Sequence, residues 1–355
     1  MKSNRSAHFQ VIGLMSGTSL DGLDLAFCEF HKSDRGWSYR IVHAETISYS
    51  QEWRDRLSSL ESGTAFDFAA TDCSYGHLLG KFTRQFIDLH NLRPDLIASH
   101  GHTIFHQPQK LLTTQIGHGA AIAAETGFHV VSDFRSLDVA LGGQGAPLVP
   151  IGDRLLFPGF DYCLNLGGFA NISYEKAGSR IAFDICPVNI VLNRLANILG
   201  LGYDPEGQNA GRGTINPALL GKLNSLLFYG EPPPKSLGKE WVIQNISPLM
   251  EDAEFSVNDL LATYCEHVAI QVASSVQGGP EKKLLITGGG AFNNFLIGRI
   301  QHHTNIRIVL PDAHTINYKE ALIFAFLGVL RWRNEVNCLC SVTGAIRDSS
   351  GGSIS

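Results

Sequence analysis

The chain of 355 residues contains no stretch of about 18 or more uncharged apolar residues, so it offers no candidate transmembrane helix. Its opening segment, MKSNRSAHFQ, has no apolar centre, and no secretory signal is expected from it. Charge is sparse: 17% of residues are charged, and 28 basic against 33 acidic side chains leave a formal net charge of −5. That balance gives no electrostatic reason to expect nucleic acid or an anionic membrane as partner, and a phosphate site would have to be built locally. The seven cysteines form no C-x-x-C pair, and several sit in apolar runs. They read as small core residues in a reducing, cytoplasmic setting rather than a disulfide frame. The signatures G-x-x-x-x-G-K-[ST], G-x-G-x-x-G after a strand, G-x-S-x-G and H-E-x-x-H are all missing. Their absence sets aside P-loop and Rossmann nucleotide sites and lowers the serine hydrolase and zincin readings.

What is present is a set of glycine-rich bends. Residues 11–27, VIGLMSGTSLDGLDLAF, run apolar, break at Gly17-Thr18-Ser19, pass Asp21 and Gly22, and turn apolar again. This has more hydrogen-bonding capacity than a hairpin turn requires. Residues 162–175, YCLNLGGFANISYE, repeat the plan of strand, glycine turn and strand, and KKLLITGGG (282–290) is a strand running into three glycines. Between these, 66–92 reads as a long helix interrupted near Gly76 and Gly80, 95–101 and 129–134 as strands, and 119–127 as a helix closed by glycine. Further helices are expected at 188–199, 256–276, 291–303 and 319–332, and a strand at 181–185. Alternating strands and helices with a duplicated opening predict an α/β fold in two related halves.

Backbone N–H groups at glycine can approach an anion closely because no Cβ intervenes. Thr18 and Ser19 would add hydroxyl donors, a helix N-terminus after Gly290 would add more N–H groups, and Asp21 is placed to hold a divalent cation on phosphate oxygens. The bends together point to a polyphosphate.

The segments GLMSGTSLDG, SHGHTIFH, AAETG, DFRSLDVALGGQGAPLVP, LNLGGFANIS, PPPKSLGKE, ITGGGAFN, EALIFAFL and VTGA occur in the order and spacing of the anhydro-N-acetylmuramic acid kinases, which this chain resembles over residues 11–347. The resemblance implies two actin-like ATPase (ribonuclease H-like) domains flanking a central cleft. One would comprise 1–134 with 318–355, the other 135–317. It implies ATP and Mg2+ as cofactors and an amino-sugar acceptor. The 1,6-anhydro bond would be opened by water at C1 while O6 takes the γ-phosphoryl group. Nucleotide contacts would come from Gly17, Thr18, Ser19, Leu20, Asp21, Gly22 and Asp24, from Asn165, Gly167, Gly168 and Asn171, and from Gly288, Gly289 and Gly290. Asp21 would hold the metal. Asp184, in FDICPVN, matches the acid that activates the water, a role a carboxylate at a strand end can fill; the alternative is an acid capping the helix at 188–199. His100, Arg135, Gln144 and Glu320 would meet the sugar. Arg135 suits its lactyl carboxylate, though an ordinary surface ion pair is the alternative. For Glu320 the alternative is an acid interacting with the helix dipole. The family also suggests a homodimer.

Departures cluster near the reacting end. Where the family pattern has TGPG, this chain has Ile185-Cys186-Pro187-Val188, whose bulk would close space beside a ligand. His102, His118 and Asn317 stand at positions of a glutamine and two acids, making the pocket less negative. Two rivals remain open here. His100 and His102 have the spacing of a metal pair on one strand face, with His106 four residues on, and polar histidines satisfied within the protein are the alternative. A nucleotide-binding homologue that has lost catalysis is the other.

Overall fold

Runs of β-branched and aromatic residues bounded by glycine turns make strands, and here they make two sheets of one design. The structure, a computed structural model, describes residues 7–17, 20–251 and 255–355. Its strands are β1 (Ala7–Ser16), β2 (Gly22–Ser33), β3 (Gly36–Ser48), β4 (Leu96–Ser99), β5 (His102–Gln107), β6 (Leu112–Ile116), β7 (Val130–Ser132), β8 (Tyr162–Leu166), β9 (Phe169–Lys176), β10 (Ser179–Pro187), β11 (Lys283–Thr287), β12 (Arg307–Val309) and β13 (Ser353–Ile354). The first sheet has the order β13-β7-β4-β1-β2-β3 and the second β10-β9-β8-β11-β12. In the first, β1–β2 and β2–β3 are antiparallel while β1–β4 and β4–β7 are parallel. In the second, β8–β9 and β9–β10 are antiparallel while β8–β11 and β11–β12 are parallel. The same five-strand plan therefore occurs twice, the ribonuclease H-like arrangement. The small β5–β6 hairpin was not foreseen from the sequence.

The chain divides into two compact units, Met1–Phe157 with Tyr318–Ser355, and Pro158–Asn317. Residues 135–157, assigned to the second half by sequence, group with the first unit. The reason is bonding to distant residues of that unit: Arg135 binds His100, Asp138 binds Thr343, and Lys319 pairs with Asp153 at 2.7 Å, both buried. The helix Ala313–Trp332 kinks at Tyr318 (φ −115°, ψ 16°).

In the first unit, Ile12, Leu14 and Leu25 of the sheet pack with Tyr75, Leu79 and Phe86 of the helix Ala65–His90. Each such fully buried side chain contributes about 1.5–3 kcal/mol. That helix starts at a capping box, Thr64 with Asp67, and runs unbroken for 26 residues. Gly76 and Gly80 therefore do not interrupt it. A Cβ at Gly76 would lie 2.7 Å from the His118 carbonyl oxygen, and one at Gly80 2.6 Å from Glu125 Cβ, so both glycines let the helix Gly119–Thr126 approach. In the second unit, Leu164, Ile172, Leu284 and Ile286 of the sheet pack with Leu261, Tyr264 and Val268 of the helix Val257–Ser274.

Candidate active site

In the first unit the bend after Ser16 includes Leu20, which takes a φ of 58° and donates its N–H to the Gly17 carbonyl at 3.4 Å. Thr18 and Ser19 lie outside the described residues. Asp21 is exposed, Gly22 begins β2, and Asp24 is partly buried, its carboxylate accepting from Thr46 Oγ1 at 2.6 Å. Burial raises the Asp24 carboxyl to about 6; the Thr46 hydrogen bond opposes the rise and the charges of Asp21 and Glu320 add to it. Glu320 is also raised by burial, against the pull of Arg135 and Lys319. It sits two residues past the kink at Tyr318, in the first turn of the helical stretch that follows, where the helix-dipole alternative also placed it.

Arg135 is no surface ion pair. Its Nε and Nη2 lie 3.1 and 2.8 Å from His100 Nε2, and Nη1 donates to the Gly145 carbonyl at 2.6 Å. A guanidinium only donates, so His100 Nε2 is an acceptor and its Nδ1–H faces the Gly101 carbonyl at 2.9 Å. Burial and the adjacent Arg135 charge hold His100 neutral, well below the usual histidine range. Burial lowers Arg135 to about 10, which leaves it a cation at neutral pH. The neighbouring glycine loop is fixed by Asp138, whose Oδ2 accepts from the Gly145 N–H at 2.8 Å and Oδ1 from Thr343 Oγ1 at 2.8 Å. Gln144 is exposed on that loop, its N–H given to the Thr343 carbonyl at 2.8 Å. Sequence reasoning missed Asp138; its only signal was its place between Arg135 and the glycines.

His100, Thr114, Gln115, His118, Ser132 and Asp133 line a polar cavity of about 430 Å³ in this unit. Ser99 Oγ and Gln115 Oε1, both in its wall, are buried without a hydrogen-bond partner among the described residues. Buried polar atoms of that kind want a ligand or water.

His100 and His102, with the spacing of a metal pair, and His106 are engaged separately. His100 is held as above, His102 Nδ1 meets Ser16 Oγ at 3.1 Å, and His106 Nδ1 meets Thr113 Oγ1 at 3.1 Å. Among the described residues no three His, Cys, Asp or Glu are grouped to hold a metal ion. Ser16 in turn accepts from Tyr49 OH at 2.9 Å, and Tyr49 meets Tyr75 OH at 2.7 Å, so His102 ends a buried chain behind the bend. Burial lowers His102 from 6.5 to about 4. The unfolded chain therefore takes a proton on this ring between pH 6.5 and 4 that the folded protein refuses, and stability is lost as the pH falls through that window. The variant H102Q should gain stability relative to the parent by about 1.4 kcal/mol per pH unit there. Denaturant titrations of both proteins at several pH values check this; a pH-independent difference contradicts it.

In the second unit, Asn165, Asn171 and Asp184 are cross-strand neighbours on β8, β9 and β10. Gly167 and Gly168 form the β8–β9 bend, and their carbonyls accept from Asn189 N–H at 3.2 Å and Val188 N–H at 2.8 Å, at the start of the helix Asn189–Ile198. Asp184 is therefore not the cap of that helix. Its Oδ2 accepts from the Leu237 N–H at 2.9 Å, and its own N–H goes to the Lys235 carbonyl at 3.0 Å. Burial raises its carboxyl, and the Leu237 hydrogen bond opposes the rise. Gly288 follows β11 against Asn165 and Leu166, while a Cβ at Gly168 would meet nothing within 4 Å, and one at Gly289 only Asn189 Nδ2 at 3.6 Å. Gly168 and Gly289 are therefore open to close approach, whereas Gly288 and Gly290 are packed against Asn165 and Leu166.

Two expectations are corrected. No α-helix begins at Gly290: Gly289–Phe292 is a short 3-10 turn, and the helix Asn294–His303 starts beyond Asn293, whose side chain accepts from the Leu296 N–H at 2.9 Å. Nor do Cys186 and Val188 crowd a ligand. Ile185, Cys186 and Val188 are buried in the core of the second unit, so the altered segment exchanges interior packing. His118 is exposed at the rim of the polar cavity, and Asn317 is exposed just before the kink.

The doubled ribonuclease H-like sheet, with a glycine bend after the first strand of each copy, defines an actin-like ATPase fold. The model of the family described as anhydro-N-acetylmuramic acid kinase matches residues 9–355. Relatives of that name are 34% identical in Microcystis aeruginosa, over 94% of this chain and 97% of the relative, and 35% identical in Pseudomonas fluorescens, over 94% and 96%. One from Synechococcus elongatus is 34% identical over 95% of this chain and 96% of its own length. The chain belongs to the anhydro-N-acetylmuramic acid kinase family.

Proposed function

We propose that this chain is an ATP-dependent kinase that opens 1,6-anhydro-N-acetylmuramic acid with water, giving N-acetylmuramic acid 6-phosphate and ADP in the recycling of cell-wall amino sugars. It would act in the cytoplasm, as a homodimer by family resemblance. Asp184 carries the reading: a partly buried carboxylate, raised by desolvation and fixed by one backbone N–H, is a base with a lone pair for water. Water loses a proton to Asp184 as its oxygen bonds to C1. The C1–O6 bond breaks, and O6 takes the γ-phosphoryl group as ADP leaves.

The remaining residues would position charge, which is most of what phosphoryl transfer needs. The open glycines at 168 and 289, with Gly167, Gly288 and Gly290 and the amides of Asn165 and Asn171, suit a polyphosphate in the second unit. Gly17 and Gly22 in the first unit would likewise suit phosphate. Mg2+ keeps most of its waters and needs few carboxylates, so the exposed Asp21 fits as its ligand, where the ion would neutralise phosphate charge. For the sugar, Arg135 supplies the cation for the lactyl carboxylate. The polar cavity with its unpartnered Ser99 and Gln115 oxygens has the size and chemistry for a single sugar ring beside His100; Gln144 and Glu320, which do not line it, would meet the sugar as the family resemblance implies.

Turnover in water labelled with heavy oxygen tests the reaction. One heavy oxygen at C1 and phosphate on O6 are expected by mass spectrometry. A phosphorylated sugar carrying no label, or ATP binding without transfer to any anhydro sugar, would refute it.

A further inference from the structure

The segment PPPKSLGKE had no role in the sequence reading beyond its place among the family motifs. The structure ties it to Asp184 at two points, the Leu237 N–H on Oδ2 (2.9 Å) and the Lys235 carbonyl on the Asp184 N–H (3.0 Å). Residues 232–238 have no regular secondary structure, so something must hold them against β10. The Lys235 side chain does. Its Nζ donates to the Phe228 carbonyl at 2.9 Å and lies 4.5 Å from the centre of the Phe228 ring. The turn Leu227–Gly230 that receives it is itself anchored. Tyr229 OH lies 2.9 Å from His267 Nε2, and His267 Nδ1 lies 2.7 Å from Asn224 Oδ1, which also accepts from Gln271 Nε2 at 2.9 Å. Because Asn224 Oδ1 only accepts, His267 carries its proton on Nδ1, and Tyr229 is the donor to Nε2. Burial lowers His267 to about 3, so this arrangement keeps one tautomer at every working pH. A rigid path thus runs from the helix Val257–Ser274 through His267, Tyr229 and Lys235 to the carboxylate.

We propose that Lys235 is a positioning residue for Asp184: its ammonium pins the 232–238 segment so that the Leu237 N–H fixes one carboxylate oxygen and leaves the other for water. This rests on Asp184 being the base. The titratable groups sharing its surroundings are Cys186, Tyr229 and Lys235. Burial pushes the thiol and the phenol well above their usual ranges, so both are neutral. Burial also lowers Lys235, with the Glu231 charge opposing.

The variant K235M keeps the apolar stem and removes the donor. Its kcat should fall roughly 10- to 100-fold, as expected when a group that acts through the base is displaced, while the KM for ATP stays within about twofold of the parent. The acid limb of kcat/KM should move to higher pH, because losing the Leu237 N–H makes the carboxylate harder to ionise. K235R should restore most of the rate. Should K235M not fold, as read by its thermal transition, K235Q is measured in the same way. Parent-like kcat with an unmoved acid limb would overturn the proposal, and so would a loss confined to the KM for ATP. The variant D184N is run beside them: if it is inactive while the Lys235 variants behave as the parent, the base reading stands and only the positioning role falls. If D184N is active, the base reading itself has failed.

Discussion

The variant D184N should lose roughly 10²- to 10⁴-fold in turnover, the range supplied by a positioned general base, with nucleotide affinity unchanged. Asparagine has the shape of aspartate, and its side-chain oxygen still accepts from the Leu237 N–H that now meets Oδ2 at 2.9 Å. The β10 backbone, through the Asp184 N–H on the Lys235 carbonyl, is untouched. Fold and loop are therefore retained, and the change removes only the ability to accept a proton. Phosphate transfer to the anhydro sugar and calorimetric titration with a non-hydrolysable ATP analogue separate the two quantities. A D184N protein with near-normal turnover removes Asp184 from the base role. The parent should also lose activity on the acid side of neutrality at a higher pH than an ordinary carboxylate would give, since burial raises this one and protonation silences it.

The variant G288A should be destabilised by about 2–4 kcal/mol and should lose ATP affinity with it. Gly288 has a φ of 81°, in the left-handed region that favours glycine, and a Cβ would stand 2.5 Å from Asn165 Oδ1 and 2.9 Å from the Leu166 carbonyl carbon and oxygen. Backbone cannot move aside as a flexible side chain can, so relief would shift β8 and the bend that follows it. Gly168 supplies the contrast, because a Cβ there meets nothing within 4 Å. The variant G168A should keep the parent's denaturation midpoint and lose only ATP affinity, as expected where the glycine is open for a phosphate rather than for packing. Equal midpoints for G288A and the parent would contradict the packing argument. Unchanged ATP affinity in G168A would contradict the phosphate assignment at that bend.

The fold was legible because its signals are local. Apolar strands interrupted by glycine at residues 17, 167–168 and 288–290 mark the bends of both sheets, and the duplicated opening anticipated the duplicated strand order. Where local reading failed, a distant partner had decided. Gly76 and Gly80 look like helix breakers in isolation, but they are the contact through which a second helix packs, and the helix stays unbroken. Cys186 and Val188 look like obstructions beside a catalytic acid, yet the irregularity in the β9–β10 register between Asp184 and Cys186 changes the alternation of side chains along the strand. Burial in the core is where those two residues end.

By itself the sequence determined the strand-and-bend plan, the family, the acid on β10 and the arginine beside the glycine loop, since each depends on residue type and spacing along the chain. Tertiary structure alone decided what holds those groups. The donor to Asp184 lies 53 residues away in sequence, the partner of Arg135 lies 35 away, and Thr343 meets Asp138 across 205. Hydrogen bonds of that reach leave no periodic mark on a sequence, because short-range pattern fixes which residues share a strand or helix face but not which distant group will satisfy a buried charge.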